Sequence, residues 1–288
     1  MDYAQGCRLP AEEWAWLNRV GCFENLELRE YVSPFPSVDL MQNVSGLVNE
    51  RDFASHGADL FLALSAASPM PLQEFRTILD FGCGCGRLAR MFKGHAGVVA
   101  GCDIDFRHVR WVKDNLPYMQ AMVTSVRPPL AYLDNQFEAI ISISVFTHLN
   151  ERSHNDFLAE LNRICEPNGY LFLTVHGERA LRRAIEEPTI RSLIDVDESR
   201  FRKARDEFSQ GKHAFILQYG HLTTRDEVGT LAVADKPITE PFEYGITFIP
   251  EAYVRKNWGR WFEVVDYRHG ALHDFQDLVV IRPRKQRG

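Results

Sequence analysis

The segment Thr77-Ile-Leu-Asp-Phe-Gly-Cys-Gly-Cys-Gly-Arg-Leu-Ala-Arg90 constrains the fold more than any other part of this chain. An apolar run leads into glycines at the alternate positions 82, 84 and 86, and an amphipathic stretch follows. That order predicts a strand, a tight turn and a helix over about 86–94, built around a nucleotide-like ligand. Glycine takes backbone angles closed to other residues and brings the main chain close to a bound molecule, while a helix start turns free N–H groups toward it. The spacing separates one ligand from another. A dinucleotide fingerprint reads G-x-G-x-x-G, with pyrophosphate on the helix N-terminus. Here the third glycine comes one residue early and Asp80 precedes the first. An acid at that point repels a pyrophosphate and suits a cation such as an amino acid ammonium, which argues against a nicotinamide dehydrogenase.

A second apolar run, Val98-Val-Ala-Gly-Cys-Asp-Ile-Asp105, ends in acids. An acid at the end of a second parallel strand is placed to accept both hydroxyls of a ribose. Asp103 and Asp105 are the candidates for that role, the alternative being that both are turn and cap residues; Asp105 falls where an acid caps a helix. From Thr77 to Val175 apolar runs alternate with amphipathic stretches, the pattern of a doubly wound α/β sheet. Strands are predicted near 77–81, 98–103, 120–124, 137–144 and 169–175, and helices near 106–115 and 152–165. Pro167 and Gly169 are expected to end the last helix and turn the chain into the fifth strand.

These motifs resemble those of the class I S-adenosylmethionine-dependent methyltransferases. Their first motif reads apolar-apolar-(Asp/Glu)-x-G-x-G-x-G, and the second, apolar-x-G-x-D, matches Gly101 and Asp103. Residues Pro128-Pro-Leu-Ala-Tyr-Leu-Asp-Asn-Gln-Phe-Glu-Ala-Ile-Ile-Ser-Ile-Ser-Val-Phe-Thr-His-Leu149 are similar to the loop and fourth strand of its small-molecule and sugar-related bacterial members. Glu138 replaces the usual Asp, and Val123-Thr124-Ser125 stands where many relatives carry an acid or amide at the adenine edge. The resemblance implies a Rossmann-like, doubly wound seven-stranded sheet, with Trp261–Arg268 and Phe275–Arg282 as antiparallel closing strands and the seventh inserted between the fifth and sixth. It implies S-adenosyl-L-methionine as cofactor, contacted by Asp80, Phe81, Gly82, Cys83, Gly84, Gly86, Asp103, Ile104, Thr124, Ser125, Ser142 and Ser144. The adenine contacts would run through backbone groups near Thr124 and Ser125. A sulfonium is already an activated methyl donor, so alignment of the acceptor supplies much of the acceleration. A base is needed when the acceptor is a hydroxyl. His148, just past the fourth strand, is the leading candidate, with His221 and His269 behind it. Arg87 could hold an anionic substrate group or pair with Asp80 or another acid, and the structural role is the one favoured.

The flanks supply the rest of the domain plan. Residues 1–70 form an N-terminal helical segment whose helix from about Asn49 to Ala67, carrying Phe53, His56 and Gly57, resembles a lid over the cofactor site. Residues 71–177 and 242–288 form the core, and 178–241 a cap insertion, charged at first and apolar in Ala214–Tyr219. Insertions at that point lie over the carboxyl edge of the sheet, where open α/β proteins bind ligands. With 288 residues and 45% hydrophobic content the chain can bury a large core. A formal charge of −6 argues against a nucleic acid footprint. No signal segment or membrane-spanning run is visible, so a cytoplasmic location is the default expectation. The six cysteines form no metal-ligand or disulfide pattern and read as packing residues. The expected activity is methyl transfer to a small-molecule acceptor, an O-methyl transfer to a sugar, glycan precursor or secondary metabolite. Alternatives are a protein or RNA methyltransferase, or an inactive scaffold that binds S-adenosylmethionine.

Overall fold

The computed structural model describes residues 5–194, 196–219, 232–233, 236–237 and 242–285. The main strands are β1 (Thr77–Phe81), β2 (Val98–Asp103), β3 (Met119–Val123), β4 (Phe137–Ser142), β5 (Cys165–Val175), β6 (Ala214–Tyr219), β7 (Tyr244–Phe248), β8 (Phe262–Leu272) and β9 (Gln276–Pro283). Seven of them make one mixed sheet in the order β8-β9-β5-β4-β1-β2-β3. The strands β1, β2 and β3 are mutually parallel, as are β4 and β5, while β9 runs antiparallel to both β5 and β8. The last strand thus inserts between the fifth strand and its own hairpin partner, as the family resemblance implies. Two compact units divide the chain, Met1–Thr124 with Ala232–Asp235 and Ser125–Leu231 with Lys236–Gly288.

In the first unit β1 is buried from Ile78 to Phe81, as expected of a parallel strand covered on both faces. Gly101 of β2 is fixed by crowding, since a Cβ there would lie 2.0 Å from Met119 Cε and 3.1 Å from Cys83 Sγ. The helix expected over 86–94 does not form. Turns occupy 84–88, and only a short 3₁₀ segment, Ala89–Phe92, follows. Gly82, Gly84 and Gly86 have φ of 79°, 51° and 81°, so a left-handed residue recurs at every second position and no right-handed helix can run through 82–86. No helix N-terminus points from this loop toward a ligand, and recognition there falls to side chains and loop backbone. The helix Glu50–Ala67 begins at Asn49, whose side chain accepts from Asp52 N at 2.8 Å. Its buried face includes Phe53, Leu60, Phe61 and Leu64.

In the second unit the helix Glu151–Ile164 runs directly into β5. Pro167 and Gly169 therefore lie inside the strand, not in a turn ahead of it. Register passes from Phe137↔Cys165 to Ala139↔Tyr170, so extra residues of β5 bulge out where proline cannot donate to the ladder. The insertion folds as helices Glu178–Glu186, Pro188–Ile194 and Glu198–Ser209 followed by β6, which pairs antiparallel with β7. Leu181, Ile194, Phe201, Ile216 and Phe248 share its buried core. Among the described residues no helix is long and apolar enough to cross a membrane. All six cysteines are free and buried, and burial pushes the Cys83 and Cys85 thiols up, which suits packing and not nucleophilic chemistry.

Candidate functional site

The glycine loop leaves β1 under tight backbone control. Gly82 N and Cys83 N both donate to Cys102 O, at 2.8 and 3.1 Å, which ties the loop to the end of β2. Space admits no side chain at the next two glycines: a Cβ on Gly84 would meet Val44 Cγ2 at 2.8 Å, and one on Gly86 would meet Leu116 Cδ1 at 2.6 Å. Phe81 and Cys83 are buried beside the loop. Asp80 is also buried, and its Oδ2 has no hydrogen-bond partner. Burial raises its pKa to about 7; the Arg87 charge opposes that rise and the Asp103 charge adds to it. An orphaned carboxylate oxygen of this kind costs free energy unless something supplies a donor.

Arg87, expected to pair with Asp80 or another acid, makes its side-chain hydrogen bond to a histidine. It is buried, feels the Asp80 charge, and its Nη1 sits 3.0 Å from His56 Nδ1. His56 belongs to the helix Glu50–Ala67, and a Cβ on Gly57 of that helix would lie 2.4 Å from Arg87 O. The helix backbone thus rests on the loop. Phe53 packs with Met41 and Cys85, which makes it core.

Asp103 closes the arrangement. Its Oδ2 accepts from Gly84 N at 2.8 Å and its Oδ1 from Asp105 N at 2.9 Å. A carboxylate has about four lone-pair sites, so each oxygen keeps one for a ribose hydroxyl. Asp105 is a cap: it is buried, accepts from Arg107 N at 2.9 Å and pairs with the Arg107 guanidinium. Ile104 is half-buried between the two acids. Thr124 departs from expectation, because its N–H is taken by Asp103 O at 2.9 Å and cannot serve an adenine. The Ser125 hydroxyl is bonded to Arg127 O. Sequence reasoning missed the tie from Gly84 N to Asp103, which links positions 19 apart.

In the second unit the last residue of β4 and those after it carry polar groups. Ser142 is buried and its hydroxyl has no partner. Ser144 has φ of 61°, a costly angle for a residue with a Cβ. It is held there because its N–H donates to Thr174 Oγ1 at 2.8 Å and the Gln276 amide donates to its hydroxyl at 2.9 Å. The His148 Nδ1 lies 2.8 Å from Gly245 O. A carbonyl can only accept, so the proton sits on Nδ1 and Nε2 carries a lone pair. Tyr244 stacks on the ring at 4.6 Å and 13°, and burial lowers the His148 pKa, which keeps the imidazole neutral. His269 is placed differently. Its Nε2 lies 3.1 Å from Glu251 Oε2 and its Nδ1 3.4 Å from Asp277 Oδ2, so two carboxylates orient the ring. His221 lies outside the described residues.

A parallel sheet with a hairpin inserted at its fifth strand, and an acid-glycine loop facing a second-strand acid, define a nucleoside-binding α/β fold of the Rossmann-like kind. Residues 79–173 match a family model described as a methyltransferase domain. That match and the sheet order are those of a class I S-adenosylmethionine-dependent methyltransferase domain. Over 38% of its length it is 26% identical to cyclopropane-fatty-acyl-phospholipid synthase of Escherichia coli (strain K12), covering 28% of that protein. It is 27% identical to the cyclopropane mycolic acid synthase MmaA2 of Mycobacterium bovis, with 39% of this chain and 40% of that protein aligned. The chain therefore spans well under two thirds of these relatives. Among solved structures, the PH0226 protein from Pyrococcus horikoshii OT3 superposes with a TM-score of 0.53 and 15% identity over 82% of this chain and 93% of that one. A methyltransferase from Methanosarcina mazei gives 0.50 and 16%, over 75% and 95%. The described residues fit S-adenosylmethionine: Asp80 has an unsatisfied oxygen for a cationic ammonium, the loop admits close approach, and Asp103 has capacity for both ribose hydroxyls.

Proposed function

We propose that this chain transfers a methyl group from S-adenosylmethionine to a hydroxyl of a small-molecule acceptor, such as a sugar, glycan precursor or secondary metabolite. The observation that carries the cofactor half is the pairing of an orphaned, buried Asp80 with an Asp103 tied to the glycine loop. Asp80 would hold the methionine ammonium, the loop backbone the rest of the amino acid moiety, and Asp103 the ribose. When bound, the sulfonium supplies an electrophilic methyl carbon, and the protein's task reduces to alignment and removal of a proton. His148 serves as the base. Its Nδ1–H is fixed on Gly245 O, so Nε2 accepts the hydroxyl proton as the oxygen attacks. This neutral, carbonyl-held imidazole favours a hydroxyl acceptor, which needs a base. The alignments cover only 28% and 40% of the two synthases, so acceptor choice rests on His148 and the cap. The cap, 178–241, is proposed to shape the acceptor site, since β7, the partner of β6, bonds directly to the loop after β4. Incubating the purified chain with methyl-labelled S-adenosylmethionine and a panel of sugars and metabolites tests the proposal. A product heavier by one methyl group, formed by wild type and not by His148→Ala, is expected. Methylation confined to amines or carbon would overturn the hydroxyl assignment.

A further inference from the structure

The strand β7 grips two histidines, not one. On one edge of this strand, residues two apart point their backbone groups the same way. Gly245 O takes the Nδ1–H of His148 at 2.8 Å, Thr247 N donates to Thr147 O at 2.8 Å, and the Thr247 carbonyl takes a hydrogen bond from His176. His176 follows β5, and its own carbonyl accepts from Ile249 N at 2.8 Å. Its Nδ1 has no partner, so the bond to Thr247 uses Nε2–H. The two rings therefore hold opposite tautomers. His148 presents an Nε2 lone pair, His176 an Nδ1 lone pair, and the ring centres lie 6.5 Å apart. The rings packed against them, Tyr244 stacked on His148, Phe248 tilted against His176 and Phe275 edge-on to it, carry no charge that would protonate either. Beside them the Thr147 hydroxyl is also buried without a partner. Two orphaned polar atoms attached to one backbone segment point to a ligand that donates hydrogen bonds.

We infer that His176 is a second acceptor-binding residue, and that His148 Nε2 and His176 Nδ1 together receive two adjacent hydroxyls of the acceptor, a vicinal diol. Two hydrogen bonds of about 2.8 Å joined through neighbouring oxygens span a gap of the size that separates these rings. The hydroxyl on His148 is methylated: its oxygen bonds to the methyl carbon as the carbon–sulfur bond breaks, and its proton passes to Nε2. The products are a methyl ether and S-adenosylhomocysteine, and the imidazolium returns its proton to water. The second hydroxyl donates to His176 and is left unmodified. Gly245 is required for this clamp, because a Cβ there would lie 2.2 Å from Ile216 O and would push β7 off β6.

This inference rests on the reading proposed above. The test pairs diols with their single-hydroxyl analogues: catechol against phenol, and methyl glucosides against singly deoxygenated forms, with S-adenosylmethionine as donor. Wild type is expected to turn over diols with a KM about tenfold lower than the analogue, the effect of one hydrogen bond. His176→Phe should raise the diol KM by about the same factor, leave the analogue's KM unmoved, and change kcat far less. His176→Gln, which keeps an acceptor oxygen, should recover part of the loss. Long-range ¹⁵N–¹H spectra of the wild type should show the proton on Nδ1 of His148 and on Nε2 of His176, a readout that does not depend on the variants folding. Equal KM for wild type and His176→Phe, the reverse tautomer at His176, or no methylation of any diol by a protein that binds S-adenosylhomocysteine overturns the inference. Failure to bind S-adenosylhomocysteine at all overturns the cofactor reading instead.

Discussion

Asp103 is expected to act on stability and affinity together, and the two can be separated. Its carboxylate accepts from Gly84 N and Asp105 N at 2.8 and 2.9 Å, and its side chain is only 14% exposed. A hydrogen bond to a charged acceptor contributes about 1.5 to 3 kcal/mol. Removing both by Asp103→Ala therefore costs the free protein about 3 kcal/mol at the low end, or about 6 °C in Tm for a chain of this size. Asp103→Asn keeps the shape and one acceptor oxygen, so it should lose about half as much. The ribose contacts come on top of this. Losing two hydrogen bonds to ribose hydroxyls should weaken S-adenosylhomocysteine at least about tenfold. Thermal denaturation with and without S-adenosylhomocysteine separates the effects: the ligand-free Tm reports the loop tie, and the ligand-induced rise reports the ribose. Asp105→Ala is the matched control, since a cap costs about 1 kcal/mol and should leave the ligand-induced rise intact. A ligand-free Asp103→Ala protein melting with wild type, and gaining as much from the ligand, would refute this account of the residue.

Asp80 should make cofactor binding depend on pH. Its pKa near 7 in the free protein is raised from the unfolded value, so its contribution to stability is full at low pH and fades as pH rises toward 7. An ammonium ligand needs the carboxylate, so S-adenosylhomocysteine affinity should climb as pH rises through 7 and level off above it. Calorimetry at pH 5.5 and 8 checks this, and Asp80→Asn should flatten the profile. His148→Ala should lower turnover by about 10² to 10⁴ fold with cofactor affinity unchanged. Because burial lowers the pKa of His148, the acid limb of the wild-type rate profile should fall below the ordinary histidine value of about 6.5. Phe201 is buried with Leu181, Ile194, Ile216 and Phe248, and Phe201→Ala should cost about 3 to 5 kcal/mol there. An acceptor KM that rises while S-adenosylhomocysteine affinity holds would support the cap's role; unchanged kinetics in a folded variant would count against it.

How far the sequence reaches follows from where each signal lies. The strands β1 and β2 and the loop between them are legible because apolar runs and glycines with positive φ are local demands. So is the cap role of Asp105, which needs only Arg107 N two residues on. The missing helix after Gly86 was misread because a glycine's φ of 81° is not encoded by hydrophobic pattern. The start of β5 was misread because Pro167 signals a break, and the structure absorbs that break as a bulge opposite β4. The partners of His148, His56 and Ser144 lie 97, 31 and 132 residues away, so no pattern along the chain could supply them. His269 looked like a base by residue type, and only the fold shows it caught between Glu251 and Asp277.

The central claim is that the acid-glycine loop and Asp103 form a site for an adenosyl amino acid. Calorimetric titration of the wild-type chain with S-adenosylhomocysteine, alongside a nicotinamide dinucleotide, tests it most directly. The account predicts saturable binding of S-adenosylhomocysteine at one site and none of the dinucleotide, whose pyrophosphate meets Asp80. Dinucleotide binding, or no heat from S-adenosylhomocysteine with a folded protein, would contradict it.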